Sequence, residues 1–318
     1  MPDYRCRSLR RTGSSHRFCQ DRFQIWAGED RLILTATDGH GGRPYTRSGL
    51  GARFACAAAV RLLRGDIAPE DFPGALKDRF DHMTRKHLAQ HPLEDWERER
   101  LDGRPEEVAY GATFLAAVLR EDVTWVFQLG DGDIHALDTD GNFLPPLAGD
   151  EDCRGNLTSS LANSRDYVAQ HFRMARYDGP LGAVFLYTDG CEGALIPALD
   201  ALSCQPELNT RLERLLSRTA RGDDQTFLLA LNTGAAETEG FRENLERNLE
   251  ALRTLEIRRR KRRRILREYE ELKTYLSLAV RKAKHMAIWQ EPGLDDYLAS
   301  LEPKYLRLEE LRQQLAQV

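Results

Sequence analysis

The chain has no closely spaced pair of cysteines. Its six, Cys6, Cys19, Cys56, Cys153, Cys191 and Cys204, stand far apart and form no C-x-x-C pair. Zinc-ribbon and thioredoxin-type readings are therefore unsupported, and scattered single thiols suit a reducing compartment. Long hydrophobic runs are also missing. No stretch approaches the roughly 18 apolar residues of a membrane-spanning helix. Residues Met1 to Gly13 are basic but lack the apolar segment of a secretory signal. These absences point to a cytoplasmic protein with no membrane partner. Charge of one sign does not dominate either: a net of −4 over 318 residues gives no general attraction to polyanions. Glycine almost disappears after residue 240, which sets the end of the chain apart from the rest.

Three apolar runs stop on aspartate and glycine. Leu32–Thr37 precedes Asp38-Gly39, Trp125–Leu129 comes just before Asp131-Gly132, and Val184–Thr188 precedes Asp189-Gly190. A fourth site reverses the order, with Asp223-Asp224 leading into Gln225–Leu231. Strands that end in carboxylates can bring several negative charges to one edge of a sheet. Such a cluster repels itself unless a cation sits within it, and all-oxygen donors favour a hard divalent ion.

The local patterns predict strands at 23–26, 31–37, 110–119, 123–129, 133–138, 181–188 and 225–231, and helices at 48–64 and 70–90. The charged, proline-containing stretch 91–107 reads as a loop, as does 145–160. A helical region broken near Pro206 is predicted over 195–219. Strands interrupted by helix pairs indicate layered α+β, sheets inside and helices outside. From 237 onward, Phe241, Leu245, Leu249, Leu252 and Leu255, and later Ile265, Tyr269, Leu272, Tyr275 and Leu276, recur at helical spacing. This predicts two or three amphipathic helical segments, broken at Pro292-Gly293. The small, polar stretch 233–240 reads as a linker. The expected domains are 1–234 and a helical extension, 235–318.

In order, the chain carries His16, Gln20-Asp21, DGHGG at 38–42, GAT at 111–113, GDGD at 130–133, TDG at 188–190 and DDQT at 223–226. Each piece alone is a weak signal. The ordered set resembles the metal-dependent serine/threonine phosphatases of the PPM type, the phosphatase 2C family, in a bacterial branch, over about residues 13–231. The resemblance implies a four-layer αββα sandwich with two central antiparallel sheets. It implies hydrolysis of phosphoserine and phosphothreonine on protein substrates by direct attack of a metal-bound water. It implies two Mn²⁺ or Mg²⁺ ions, with a third in some members, and a serine/threonine kinase as counterpart. Asp38 would bridge the two ions. Asp189 and Asp223 would complete one ion's protein ligands. The Gly39 carbonyl would serve the other, with Gln20 and Asp21 nearby through waters. Asp131 would share a third ion with Asp189. His40 would protonate the leaving oxygen.

The chain departs from that pattern in three places. The segment between Asp140 and Leu181 is short, which implies a reduced substrate-facing flap. The usual serine after Gly-Asp is Gly132, followed by the extra charge of Asp133. The usual phosphate-binding arginine is replaced by His16, with Arg17 adjacent, so either residue could contact the phosphate. The last two departures motivate a rival reading, a catalytically weak phosphatase-like scaffold that works through its C-terminal helices. A cysteine mechanism is excluded, because it needs arginine six residues after the cysteine. Those positions hold Thr12, Ile25, Leu62, Ser159, Pro197 and Thr210. His82, His87, His91, His135 and His171 read as structural or exposed. The basic run Arg258–Arg264 raises nucleic-acid binding. Against it stand the flanking glutamates and the missing aromatic interleaving. Residues 237–318 hold 18 basic and 15 acidic residues, a net of +3. Pairing with acidic helices, self-association or docking on an acidic partner is the favoured reading of that run.

Overall fold

The computed structural model describes residues 2–148, 158–191, 193–202, 210 and 222–317. Its described residues form two compact units, Met1–Asn248 and Leu249–Val318. The first is an α+β sandwich with two antiparallel sheets at its centre, the αββα arrangement expected from the sequence. One sheet orders its strands β1 (Tyr4–Arg11), β9 (Gln225–Asn232), β8 (Ala183–Tyr187) and β6 (Asp133–Leu137). The other runs β2 (Arg22–Ala27), β3 (Leu32–Thr37), β4 (Phe114–Leu119), β5 (Val123–Leu129) and β7 (Arg173–Asp178).

Period-two alternation builds the layers. Leu32, Leu34 and Ala36 of β3 and Leu115, Ala117 and Leu119 of β4 meet Val184, Leu186, Leu228 and Ala230 of the facing sheet. Their alternates, Ile33, Phe114, Ala116 and Val118, join a second core with Phe54, Ala55, Ala58 and Ala59 of helix α1 (Ser48–Leu63) and Phe72, Leu76 and Phe80 of helix α2 (Phe72–Gln90). Strands apolar on both faces are therefore the ones sandwiched between two layers. Each fully buried Leu or Phe contributes about 1.5–3 kcal/mol.

Several elements went unread in the sequence. The arginine-rich N-terminus is strand β1, paired along its whole length with β9 from Tyr4↔Asn232 to Arg11↔Gln225. Strand β7 is an edge strand whose residues alternate between half-buried and exposed, which gives too few apolar positions to signal a strand. It follows the short helix α4 (Arg165–His171). The stretch 91–107 is not simply a loop: it holds helix α3 (Asp95–Leu101) and a 3-10 turn, Glu106–Tyr110. A reciprocal box starts α3, the Glu94 side chain meeting the Glu97 backbone and the Glu97 side chain meeting that of Glu94. Helix α5 (Leu195–Leu202) begins the region predicted as helical. The break expected near Pro206 lies outside the described residues.

The stretch read as a linker is helical at its start, α6 (Thr233–Ala236), capped by the Asn232 side chain accepting from the Ala235 N–H at 3.2 Å. Helix α7 (Glu239–Ile288) is continuous over 50 residues. Within the first unit its beginning packs on the sandwich. Asn244 and Asn248 donate to the Asp140 and Gly141 carbonyls at 2.8 Å each. The second unit comprises the remainder of α7 and helix α8 (Leu294–Gln317). The break falls at Pro292-Gly293 as read. Leu272, Leu276 and Ala279 pack against Tyr297, Leu301 and Leu308, and Arg307 pairs with Glu268 at 2.8 Å. No helix among the described residues is long and apolar enough to cross a membrane.

One buried pair ties α3 to the loop that opens α1. Arg47 donates to both Glu97 oxygens, at 2.8 and 2.6 Å, and to the Tyr110 hydroxyl at 3.1 Å. The Arg47 guanidinium holds the Glu97 carboxyl down at about 2, against an ordinary 4.5. Removing one partner of a buried pair leaves the other charge stranded, so Glu97→Ala should cost about 3 kcal/mol in urea unfolding near neutral pH. The folded value lies below the unfolded one. The pair's contribution is therefore whole above pH 4.5 and is lost as pH falls toward 2. The wild-type and Glu97→Ala stability curves should converge over that interval.

Candidate active site

Strand register gathers the sequence-predicted residues at one end of the sandwich. Arg22 pairs with Thr37, Ala36 with Leu115, and Phe114 with Leu129. In the other sheet Tyr187 pairs with both Asp133 and Phe227. Residues just beyond those positions share that end: Asp21 before β2, Asp38 after β3, Asp131 after β5, Asp189 after β8 and Asp223 before β9. The backbone is crowded there. A Cβ on Gly190 would lie 1.8 Å from the Asp224 carbonyl oxygen, and one on Gly39 2.8–3.0 Å from the backbone of Ser48 and Gln20. Only glycine leaves room for those contacts.

The carboxylates act on one another through charge. Burial raises Asp38 well above the ordinary carboxylate range, and the charges of Asp21, Asp189 and Asp223 add to the effect. Burial also raises Asp21, partly offset by its contacts with Asp38 and Thr188. Asp189 is exposed at the end of β8, yet the surrounding protein and then the charges of Asp131, Asp223 and Asp21 push it up to about 7. Asp131, at the tip of the β5–β6 turn, rises by desolvation, with Asp223 and Asp133 contributing. Thus Asp21 and Asp38 adjoin, Asp189 and Asp223 act on Asp38 through charge, and Asp131 acts on Asp189. Among the described residues, no three His, Cys, Asp or Glu side chains converge closely enough to hold one ion as they stand.

Several neighbours fix these groups. The Thr188 hydroxyl donates to Asp21 Oδ2 at 2.8 Å. The Asp38 N–H donates to the Thr113 hydroxyl at 3.0 Å, and the Thr113 N–H donates back to the Asp38 carbonyl at 2.9 Å. These bonds assign positioning work to the threonines of GAT and TDG. The sequence reading passed over Asp224, the second aspartate of DDQT. It is buried, and its oxygens accept the N–H groups of Gly13 at 2.8 Å and Gln20 at 2.6 Å. His16 Nδ1 lies 3.1 Å from Asp224 Oδ2 and 3.7 Å from Asp223 Oδ1. Asp224 therefore clamps the loop that carries His16, Gln20 and Asp21. An acidic pair heading a strand was the available signal, since the first can face the site while the second turns inward.

The other predicted residues differ in placement. Arg17 is exposed and lies over the exposed Phe18 ring at 5.2 Å, whereas His16 faces the aspartates. His40 is buried beside Tyr45, their ring centroids 4.8 Å apart. Burial pushes it down to about 4, so the ring is neutral near pH 7 and gains a proton only where a further negative charge approaches. The remaining histidines include His87 and His135, bonded to the Tyr110 and Tyr187 hydroxyls at 2.7 and 3.0 Å. Burial raises the Cys6, Cys19 and Cys56 thiols and pushes Cys191 up to about 12. None of these four is a ready nucleophile.

The donor set fits a hard divalent cation. Its groups are oxygens, its carboxylates raise one another, and the buried Asp21 Oδ1 and Gln20 Oε1 have no hydrogen-bond partner. Asp38→Asn removes a half-buried carboxyl whose ionisation its neighbours oppose. In chelator the variant should melt about 3–6 °C above wild type. Added Mn²⁺ should raise the wild-type melting temperature and leave the variant's unchanged. A variant that melts lower in chelator, yet still responds to Mn²⁺, would contradict this account of the cluster.

The family model for protein phosphatase 2C matches residues 10–231. The crystal structure of a bacterial serine phosphatase superposes with a TM-score of 0.53 at 12% identity, covering 72% of this chain and 98% of that one. Serine/threonine phosphatase Stp1 from Staphylococcus aureus gives 0.49 at 14% identity, covering 72% and 95%. At such identities the first of these likenesses speaks to the fold. No curated protein matches the chain by sequence. With the family match spanning well over half of its length, the chain belongs to the protein phosphatase 2C family.

Proposed function

We propose that the protein is a cytoplasmic phosphatase that hydrolyses phosphoserine and phosphothreonine in proteins, opposing a serine/threonine kinase. The observation that carries this reading is the gathering of Asp21, Asp38, Asp131, Asp189 and Asp223 at one end of the sandwich, where neighbouring charges help to raise Asp38 and Asp189. Asp38, Asp189 and Asp223, with the Gly39 carbonyl and Asp21, would hold two Mn²⁺ or Mg²⁺ ions, and Asp131 would take part in a third. When bound, such ions supply Lewis acidity to the phosphoryl oxygens and to the attacking water.

The chain's own groups then divide the remaining tasks. Asp224 turns His16 by its Nδ1 edge, leaving Nε2 free on the side of Gly41; a Cβ there would lie 3.4 Å from it. His16 is therefore the assigned phosphate contact, rather than Arg17. His40 stays neutral until the substrate's phosphate enters. The incoming charge raises its proton affinity beside the leaving oxygen, which makes it a substrate-dependent general acid. We take 1–234 as the phosphatase domain and 235–318 as a partner-binding extension. A truncation that tests this should end after Asn248, because Asn244 and Asn248 bond to the sandwich.

The test is Mn²⁺-dependent release of phosphate from a phosphothreonine peptide. Asp38→Ala and Asp189→Ala should each lower kcat by about 10²–10³. His16→Ala should raise KM at least about tenfold, the loss of one charge-assisted contact, and Arg17→Ala should change it little. If wild type and both aspartate variants are equally inert with folded, metal-loaded protein, the scaffold reading favoured by Asp133 and the missing arginine takes its place.

A further inference from the structure

The basic run Arg258–Arg264 is not used by the reaction above. It lies in the second compact unit, on the exposed part of α7, and all seven residues are exposed. Flanking glutamates were expected to neutralise it. Only Arg260 is so paired, with Glu256 at 2.9 Å. Glu268, four residues after Arg264, is taken instead by Arg307 of α8 at 2.8 Å. Arg258, Arg259, Lys261, Arg262, Arg263 and Arg264 make no ion pair or side-chain hydrogen bond among the described residues. Residues 249–318 hold 16 basic and 11 acidic residues, a net of +5, against −9 for residues 1–248.

We propose that this segment of α7 is a binding site for double-helical nucleic acid. Seven consecutive residues of an α-helix cover about two turns and roughly 10 Å, and point in every direction around the axis. A flat anionic surface, a bilayer or the face of an acidic protein, meets one side of a helix and leaves the opposite cations unmatched. A groove walled by two phosphate backbones meets several sides at once, and the major groove of a DNA duplex admits an α-helix. Six of the seven are arginine, whose planar fork suits phosphate oxygens better than the lysine ammonium. Of the exposed apolar neighbours, Leu255 and Leu266 fall about 20° apart around the helix but about three turns from each other along it, and Ile257 stands about 200° from Leu255, which makes a sparse apolar side for a bilayer. The run contains no aromatic residue, which disfavours single strands that need stacking platforms.

The test is fluorescence anisotropy of the full chain with labelled DNA and RNA duplexes, titrated with salt. Neutralising about five phosphates predicts a log–log slope near −4 to −5, and so a loss of several hundredfold between about 50 and 200 mM salt. Changing Arg258→Gln, Arg259→Gln, Arg262→Gln and Arg263→Gln together should reduce the slope by about 3–4 and leave phosphatase activity intact. The corresponding lysine variant keeps the charges and should retain the slope, which separates lost contacts from lost helix. The preferred duplex distinguishes DNA from RNA as the ligand. Absence of binding to both duplexes at about 50 mM salt, an unchanged slope in the glutamine variant, or equal affinity for a single strand, for polyglutamate or for anionic vesicles would overturn the proposal.

Discussion

Like charges gathered at one end of the sandwich, Asp21 buried, Asp38 half-buried and Asp131, Asp189 and Asp223 exposed at the rim, are the constraint around which the first unit is arranged. Asp38 and Asp21 adjoin, Asp189 and Asp223 act on Asp38 from two other strand ends, and Asp131 acts on Asp189. Left alone, that cluster opposes folding, because each carboxylate disfavours ionisation of the next. The core must therefore stabilise what the site destabilises. Two sheets filled on both faces, and a helix layer over β3 and β4, provide that support.

Fixed neighbours keep the cluster from simply spreading apart. Thr188 bonds Asp21, Thr113 bonds the Asp38 backbone, and Gly190 allows the β8 end to sit against Asp224. Asp224 in turn draws in the loop from Gly13 to Gln20. A negative group that accepts two backbone N–H bonds and faces a histidine is satisfied without any ion. It can be buried where Asp223 beside it cannot. Adjacent aspartates thereby take opposite roles, one inward and structural, one outward and available.

Charge is divided along the chain as well. The unit that carries the carboxylates is acidic, and the helical unit after it is basic. The two roles proposed for them require opposite fields. On those proposals divalent cations would collect at the carboxylates, and phosphate polymers at the arginines. A long helix with its own short hydrophobic seam, Leu276, Ala279 and Leu301, presents those arginines without drawing on the sandwich core.

Much of the architecture could be read before any coordinates. Buried strands such as β3, β8 and β9 announce themselves by unbroken apolar runs, and the Asp-Gly pairs mark where those strands stop. Edge strands β1 and β7 escaped notice because an edge buries little of its length, so arginines serve there as well as valines. Helix α3 was hidden by its charged sequence, and its stability rests on Glu97 meeting Arg47, about 50 residues away in the chain. Residue type and periodicity thus determined which strands form and which carboxylates end them, since both are local properties. The tertiary structure alone decided that Asp224 turns inward, that His16 rather than Arg17 faces the aspartates, and that His40 is buried beside Tyr45. Each of these depends on burial and on partners brought together by strand pairing, which no local pattern encodes.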